Sequence, residues 1–100
     1  MSRARTRRGE ITPAEIASMI LRAEHGRAFV RLVRGRVVEA SVTTEGRPPG
    51  RGWVALGEVE AFQLLVKHRG REAVAFDQAE VVRAVGDSLR RHRWSGWRSA

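Results

Sequence analysis

The stretch from Ala28 to Val42 is rich in β-branched residues and is interrupted only at Arg34-Gly35. Glycine supplies the positive φ that a two-residue hairpin turn requires, so two antiparallel strands are predicted here and the rest of the chain has to pack on the sheet they begin. Side chains alternate between the two faces of a strand. Ala28, Val30 and Leu32 are expected on one face and Val38, Ala40 and Val42 on another, with Arg31, Arg36 and Glu39 in water.

Before the hairpin, Thr12-Pro13-Ala14-Glu15 is a helix start. Thr12 caps, Pro13 fits the first helical position where its missing N–H costs nothing, and Glu15 completes a capping box. Ile16, Met19, Ile20 and Ala23 recur at helical spacing, Ile11 and Ile16 fit a hydrophobic staple, and His25-Gly26 offers a glycine cap. The spacing predicts a helix over 13–25. After the hairpin, residues 43–52 hold Pro48-Pro49 and three glycines with no apolar period, which predicts a mobile loop. Trp53 to Leu56 reads as a short strand. Val59, Phe62, Leu65 and Val66 place a helix over 58–69, stopped by Gly70. Glu72 to Phe76 reads as a further strand, and Asp77 with Glu80 opens a last helix whose buried stripe is Val81, Val82, Val85 and Leu89. Gly86 weakens that helix by roughly 1 kcal/mol relative to alanine. The expected order is α-β-β-β-α-β-α, an α+β domain with an antiparallel sheet built on the hairpin and about three helices packed on it.

The formal charge is +8 in 100 residues, and it is not spread evenly. Residues 1–8 carry Arg3, Arg5, Arg7 and Arg8 with no acid, and residues 90–98 carry Arg90, Arg91, Arg93 and Arg98 with no acid. The eleven basic and eleven acidic residues between them cancel. A basic flexible arm (1–10), a folded body (11–91) and a basic, tryptophan-containing tail (92–100) are therefore expected. Cysteine is absent, which excludes disulfides, thiolate zinc sites, iron–sulfur clusters and a cysteine nucleophile. No uncharged stretch approaches the ~18 residues that cross a membrane, and no apolar signal core follows the basic start. A cytoplasmic protein is expected, with no membrane partner.

Three segments together resemble a known family. They are Gly26 to Ala40, Leu56 to Val66 and Gly70 to Phe76. Glycine, strand, turn glycine, second strand ending at alanine, a helix with an Ala-x-x-x-Leu core and a final glycine before an aromatic-ended strand are similar to the bacterial PATAN-type domain, over residues 13–76. The resemblance implies a non-catalytic adaptor that docks a protein partner in a bacterial regulatory system. A Roadblock-type dimerising domain shares the order of helix, hairpin and later helix and is the second resemblance. Homodimerisation is expected, because a domain of this size has little excess stability and gains by burying part of an exposed face.

The residues themselves offer little to an enzyme. His25, His68 and His92 are too far apart for a local metal pair and stand next to predicted helix ends, where a cation complements the dipole. Glu58 and Glu60 sit at a helix start, where carboxylates are favoured for the same reason. There is no Walker-type phosphate loop, Gly50-Arg51-Gly52 lacks the strand-then-helix setting of a dinucleotide cradle, and no G-x-S-x-G occurs. No cofactor, metal or small-molecule substrate is expected. Two features do suggest binding. In Arg90-Arg-His-Arg-Trp94-Ser-Gly-Trp97-Arg98, cations that neutralise phosphates alternate with indoles able to stack on bases, which with Arg3, Arg5, Arg7 and Arg8 makes nucleic acid the alternative partner. The competing reading is that the tryptophans fold back onto apolar surface. The second feature is the hairpin with its loop: Arg31, Arg36 and Trp53 are candidates for a protein interface, and an outer strand carrying Val37-Val38 would be able to recruit a second subunit by strand pairing.

Overall fold

A computed structural model describes residues 5–67 and 75–96, with 5–8, 67 and 75–77 described by their backbone alone. The fold is α+β: an antiparallel sheet built on the hairpin, with three helices against it. The strands are β1 (Arg5–Arg8), β2 (Arg27–Val33), β3 (Arg36–Thr43) and β4 (Trp53–Glu58), and the helices are α1 (Pro13–Arg22), α2 (Val59–Lys67) and α3 (Ala75–Arg90). The order across the sheet is β1-β3-β2-β4.

The hairpin forms where its turn chemistry puts it. Arg34 and Gly35 both have positive φ, 54° and 77°, as a type I′ turn demands, and β2 and β3 pair antiparallel from Val33–Arg36 to Arg27–Thr43. One side chain is displaced from its expected face. Arg31 pairs with Glu39 but Leu32 pairs with Val37, so Val38 is the extra residue of a bulge. Beyond it the alternation flips, and Val37 rather than Val38 enters the core beside Ala28, Val30, Ala40 and Val42. A second bulge, at Leu56, lies where β4 steps from Ala55–Phe29 to Gly57–Ala28.

The helices cover the face bearing Ala28 and Val30. Ile16, Ala17, Met19 and Ile20 of α1, Val59 and Phe62 of α2, and Val81, Val85 and Leu89 of α3 are all buried in one cluster with the sheet residues. Gly86 does not interrupt α3, because that apolar stripe is held on both sides of it. The opposite face of the sheet is largely polar, with Phe29 at its centre and Trp53 and Val33 toward its hairpin end. Phe29, only 4% exposed, pairs with Ser41 and Ala55, and the rows on either side carry the ion pairs Arg27–Glu58 and Arg31–Glu39.

α1 begins as its sequence dictates, with both halves of the Thr12–Glu15 capping box present, and ends three residues before the expected boundary. Gly26 does not cap it. The side-chain amide of Gln63, on α2, donates instead to the carbonyls of Ile20 (3.0 Å) and Ala23 (2.6 Å), satisfying acceptors that a helix end leaves unpaired. Gln63→Ala is expected to cost about 1 kcal/mol, read as a fall in thermal midpoint of a few degrees, because the Ala23 carbonyl loses the Gln63 amide and the Ile20 carbonyl keeps only the Ala23 N–H.

Two expected segments differ. Arg5–Arg8, expected within a flexible arm, pair as an edge strand with β3 from Arg5–Val42 to Arg8–Glu39. The outer edge of β3 presents unpaired backbone groups that a preceding extended segment can satisfy, and the pairing continues as Gly9 N–H to Val38 O and Ile11 N–H to Val37 O. Of the strand expected over 72–76, residues 72–74 lie outside the described residues, while Ala75 and Phe76 belong to the first turn of α3.

Candidate functional site

The hairpin turn meets the end of α3, and two arginines in left-handed backbone stand at that meeting. α3 terminates in a Schellman arrangement: Trp94 N–H donates to Leu89 O (3.1 Å) and Arg93 N–H to Arg90 O (3.1 Å), with Arg93 at φ 67° where glycine is the usual residue. The chain then turns onto the hairpin. Ser95 N–H donates to Gly35 O at 2.9 Å, and a Cβ at Gly35 would meet the Ser95 hydroxyl and, at 3.2 Å, the Arg93 carbonyl. Gly35 is thus required twice, for its φ and for this approach. Arg34 and Arg93, flanking the junction, are both exposed. Among the described residues they are the two non-glycine positions with positive φ.

Trp94 follows directly. The Schellman turn carries it back over α3, and it packs half-buried against the core. The segment after Arg93, part of the basic tail expected over 92–100, is therefore placed as far as Gly96 by backbone bonds and an apolar contact. Beside the indole is a cavity of about 300 Å³ whose apolar walls are Ile11, Pro13, Val37 and Trp94 and whose polar rim includes Glu10 and Arg36. Arg36 Nη1 lies 3.8 Å from Glu10 Oε1, and both side chains are well exposed. An exposed pair at that distance is worth little, so Arg36 is available to a ligand at the mouth of the cavity.

The other candidate residues are distributed as follows. Arg91 is exposed, and Arg90 pairs with Asp87 one turn earlier on α3. Arg5, Arg7 and Arg8 stand in β1, opposite Val42, Ala40 and Glu39. Arg3, Trp97, Arg98 and His68 lie outside the described residues. Of the three positions expected at a protein interface, Arg31 and Trp53 are cross-strand partners on the polar face, and Arg31 donates from Nε to Glu39 (2.8 Å). Arg36 is at the hairpin turn and does not join them. The Val37-Val38 segment is not an outer edge, because β1 pairs with it from the far side. The edges are β1 and β4, and α3 reaches β4: the Ser88 hydroxyl donates to Leu56 O (2.8 Å), and His92 Nε2 lies 3.1 Å from Ala55 O, a contact that uses the Nε2–H tautomer. Two carbonyls of β4 are thereby occupied.

The carboxylates read as helix-start groups do something more specific. Glu58 pairs with Arg27, and Glu60 accepts from the N–H of Gly26 (3.2 Å). Both are spent on holding β2 to the α2 start. Arg34 is the site residue that the sequence did not single out; its only signal was its place before the turn glycine.

Comparison of the chain with protein-family models, curated proteins and solved structures finds no match. Among the described residues, no helix is long and apolar enough to cross a membrane, and no three His, Asp or Glu side chains gather as a metal cluster would require.

Proposed function

We propose that this chain is a non-enzymatic binding module whose hairpin-turn end engages nucleic acid through its phosphates. The observation that carries this reading is the pairing of Arg34 with Arg93. Left-handed backbone disfavours a residue with a Cβ by roughly 1 kcal/mol, and two exposed arginines accept that cost at adjacent positions. Guanidinium forks match phosphate oxygens, and Arg36 and Arg91 add to the same basic end. A non-catalytic role is supported by the employment of the polar side chains elsewhere: Glu39, Glu58, Glu60, Gln63, Ser88 and His92 each serve a strand, a helix end or a backbone carbonyl.

The test is fluorescence anisotropy of a labelled single-stranded oligonucleotide titrated with the full chain at about 50 and 200 mM salt. Each phosphate contact on a single strand contributes a slope of about −0.7 in log K against log salt, so four contacts are expected to weaken binding about 50-fold over that range. No binding at the lower salt would remove nucleic acid as the partner and return a protein partner on the folded body, the adaptor expectation, to first place.

A further inference from the structure

We propose that the cavity beside Trp94 receives one base of a single-stranded nucleic acid, while Arg34, Arg36 and Arg93 hold the phosphates on either side of it. This rests on the nucleic-acid reading above and adds a defined subsite to it. Three independent features converge. The cavity, at about 300 Å³, is at the small end of pockets that bind organic ligands, so it admits a single planar ring system and excludes a base pair or a helix. Its accessible apolar lining is the half-buried indole of Trp94 with Pro13, set over the buried Ile11 and Val37 and flanked by Thr12 and Gly96, and an indole is a surface on which any base can stack without sequence preference. Its rim carries Arg36 together with Glu10, 3.8 Å apart, and the excess of cations comes from Arg93 and Arg34, whose segments the Ser95–Gly35 hydrogen bond ties to each other.

Backbone geometry makes this placement more than a coincidence of charge. A type I′ turn favours asparagine or glycine at the first turn position, and a Schellman turn favours glycine after the helix cap. This chain has arginine at both, at φ 54° and 67°, and the two segments are hydrogen-bonded to each other. Residues held in disfavoured backbone where their side chains are exposed point to a use outside the fold. The commitment to single strands follows from the shape. A base in a duplex is stacked on both sides and reaches a cavity only by flipping out, which costs its pairing and stacking, whereas a single-stranded base is already free to leave its neighbours.

Two measurements on the full chain test this. In Trp53→Phe/Trp97→Phe, the remaining indole is Trp94. Titration with a 12-nucleotide oligo-dT is expected to quench its emission with the same midpoint as the anisotropy change, while a 12-base-pair duplex binds more weakly and leaves the emission in place. In Arg34→Asn/Arg93→Gly, oligo-dT affinity is expected to fall at least tenfold while the thermal midpoint holds or rises by a few degrees, since the left-handed backbone is relieved. A loss of binding with no loss of stability cannot be charged to misfolding. Binding seen by anisotropy without Trp94 quenching would overturn the base subsite and leave the nucleic-acid reading standing. Unchanged affinity in Arg34→Asn/Arg93→Gly would overturn the phosphate assignment, and no binding of the wild-type chain would overturn both readings together.

Discussion

Gly26→Ala is expected to destabilise the domain by about 4 kcal/mol or more, a large share of the ~5–15 kcal/mol that holds a typical domain folded. Gly26 stands where α1, β2, the end of β3 and the start of α2 converge. Its φ of 123° is one that residues with a Cβ rarely adopt. A Cβ there would also press on the Thr43 carbonyl, with the Thr43 carbonyl carbon at 2.9 Å and Thr44 Cα at 3.0 Å. These are backbone atoms at the end of β3 and of the residue after it, which cannot swing aside as a side chain would. Nor is the glycine free to retreat. Its N–H donates to Glu60, and its carbonyl accepts from Val59 N–H at 2.9 Å, so any shift breaks the link to α2. Urea unfolding followed by circular dichroism reads the effect as a large fall in midpoint. A variant whose midpoint and slope match the wild type would mean that this junction is not packed as described.

Leu89→Ala carries the second large effect. Leu89 is fully buried among residues of all three helices and the sheet, so truncation leaves a cavity and is expected to cost about 3 kcal/mol. For a domain of this size that is a fall of roughly 15 °C in thermal midpoint. Its carbonyl accepts the N–H groups of His92 and Trp94, so Leu89 is also the anchor of the turn that returns the indole to the core. Alanine keeps this backbone carbonyl, so the turn's hydrogen bonds are retained and the effect is read as lost stability. Leu64→Ala is the matched control. Leu64 is 48% exposed on α2, and its loss is expected to change stability by less than about 0.5 kcal/mol. Equal losses for the two leucines would contradict the placement of the core.

What the sequence revealed and what it hid divide along the range of the interactions. The capping box and the Arg34-Gly35 turn depend on residues within three or four positions of each other, and both were legible. So were the apolar stripes of α1, α2 and α3, whose spacing is a property of one helix at a time. The end of α1 was not, because Gln63 terminates it from the other side of the hairpin, and no local pattern announces a donor forty residues away. β1 was hidden for a related reason. Arg5-Thr6-Arg7-Arg8 has no apolar alternation, and it is a strand only because the edge of β3 needs partners. The exchange of Val38 for Val37 follows from a bulge, which moves every later side chain to the other face without altering composition. At the site, arginine stands at the two positions where glycine or asparagine would have signalled left-handed backbone. The sequence therefore showed a basic tail and a turn but not that they touch.

The central claim is that the left-handed arginines contact phosphate, and the most direct measurement of it is the salt dependence of oligo-dT binding in wild type and in Arg34→Asn/Arg93→Gly. Each lost single-strand contact removes about 0.7 from the slope of log K against log salt, so the double variant is expected to show a slope shallower by about 1.4. Slopes that coincide, with or without a change in affinity, would show that neither arginine releases a counterion on binding and would contradict the account.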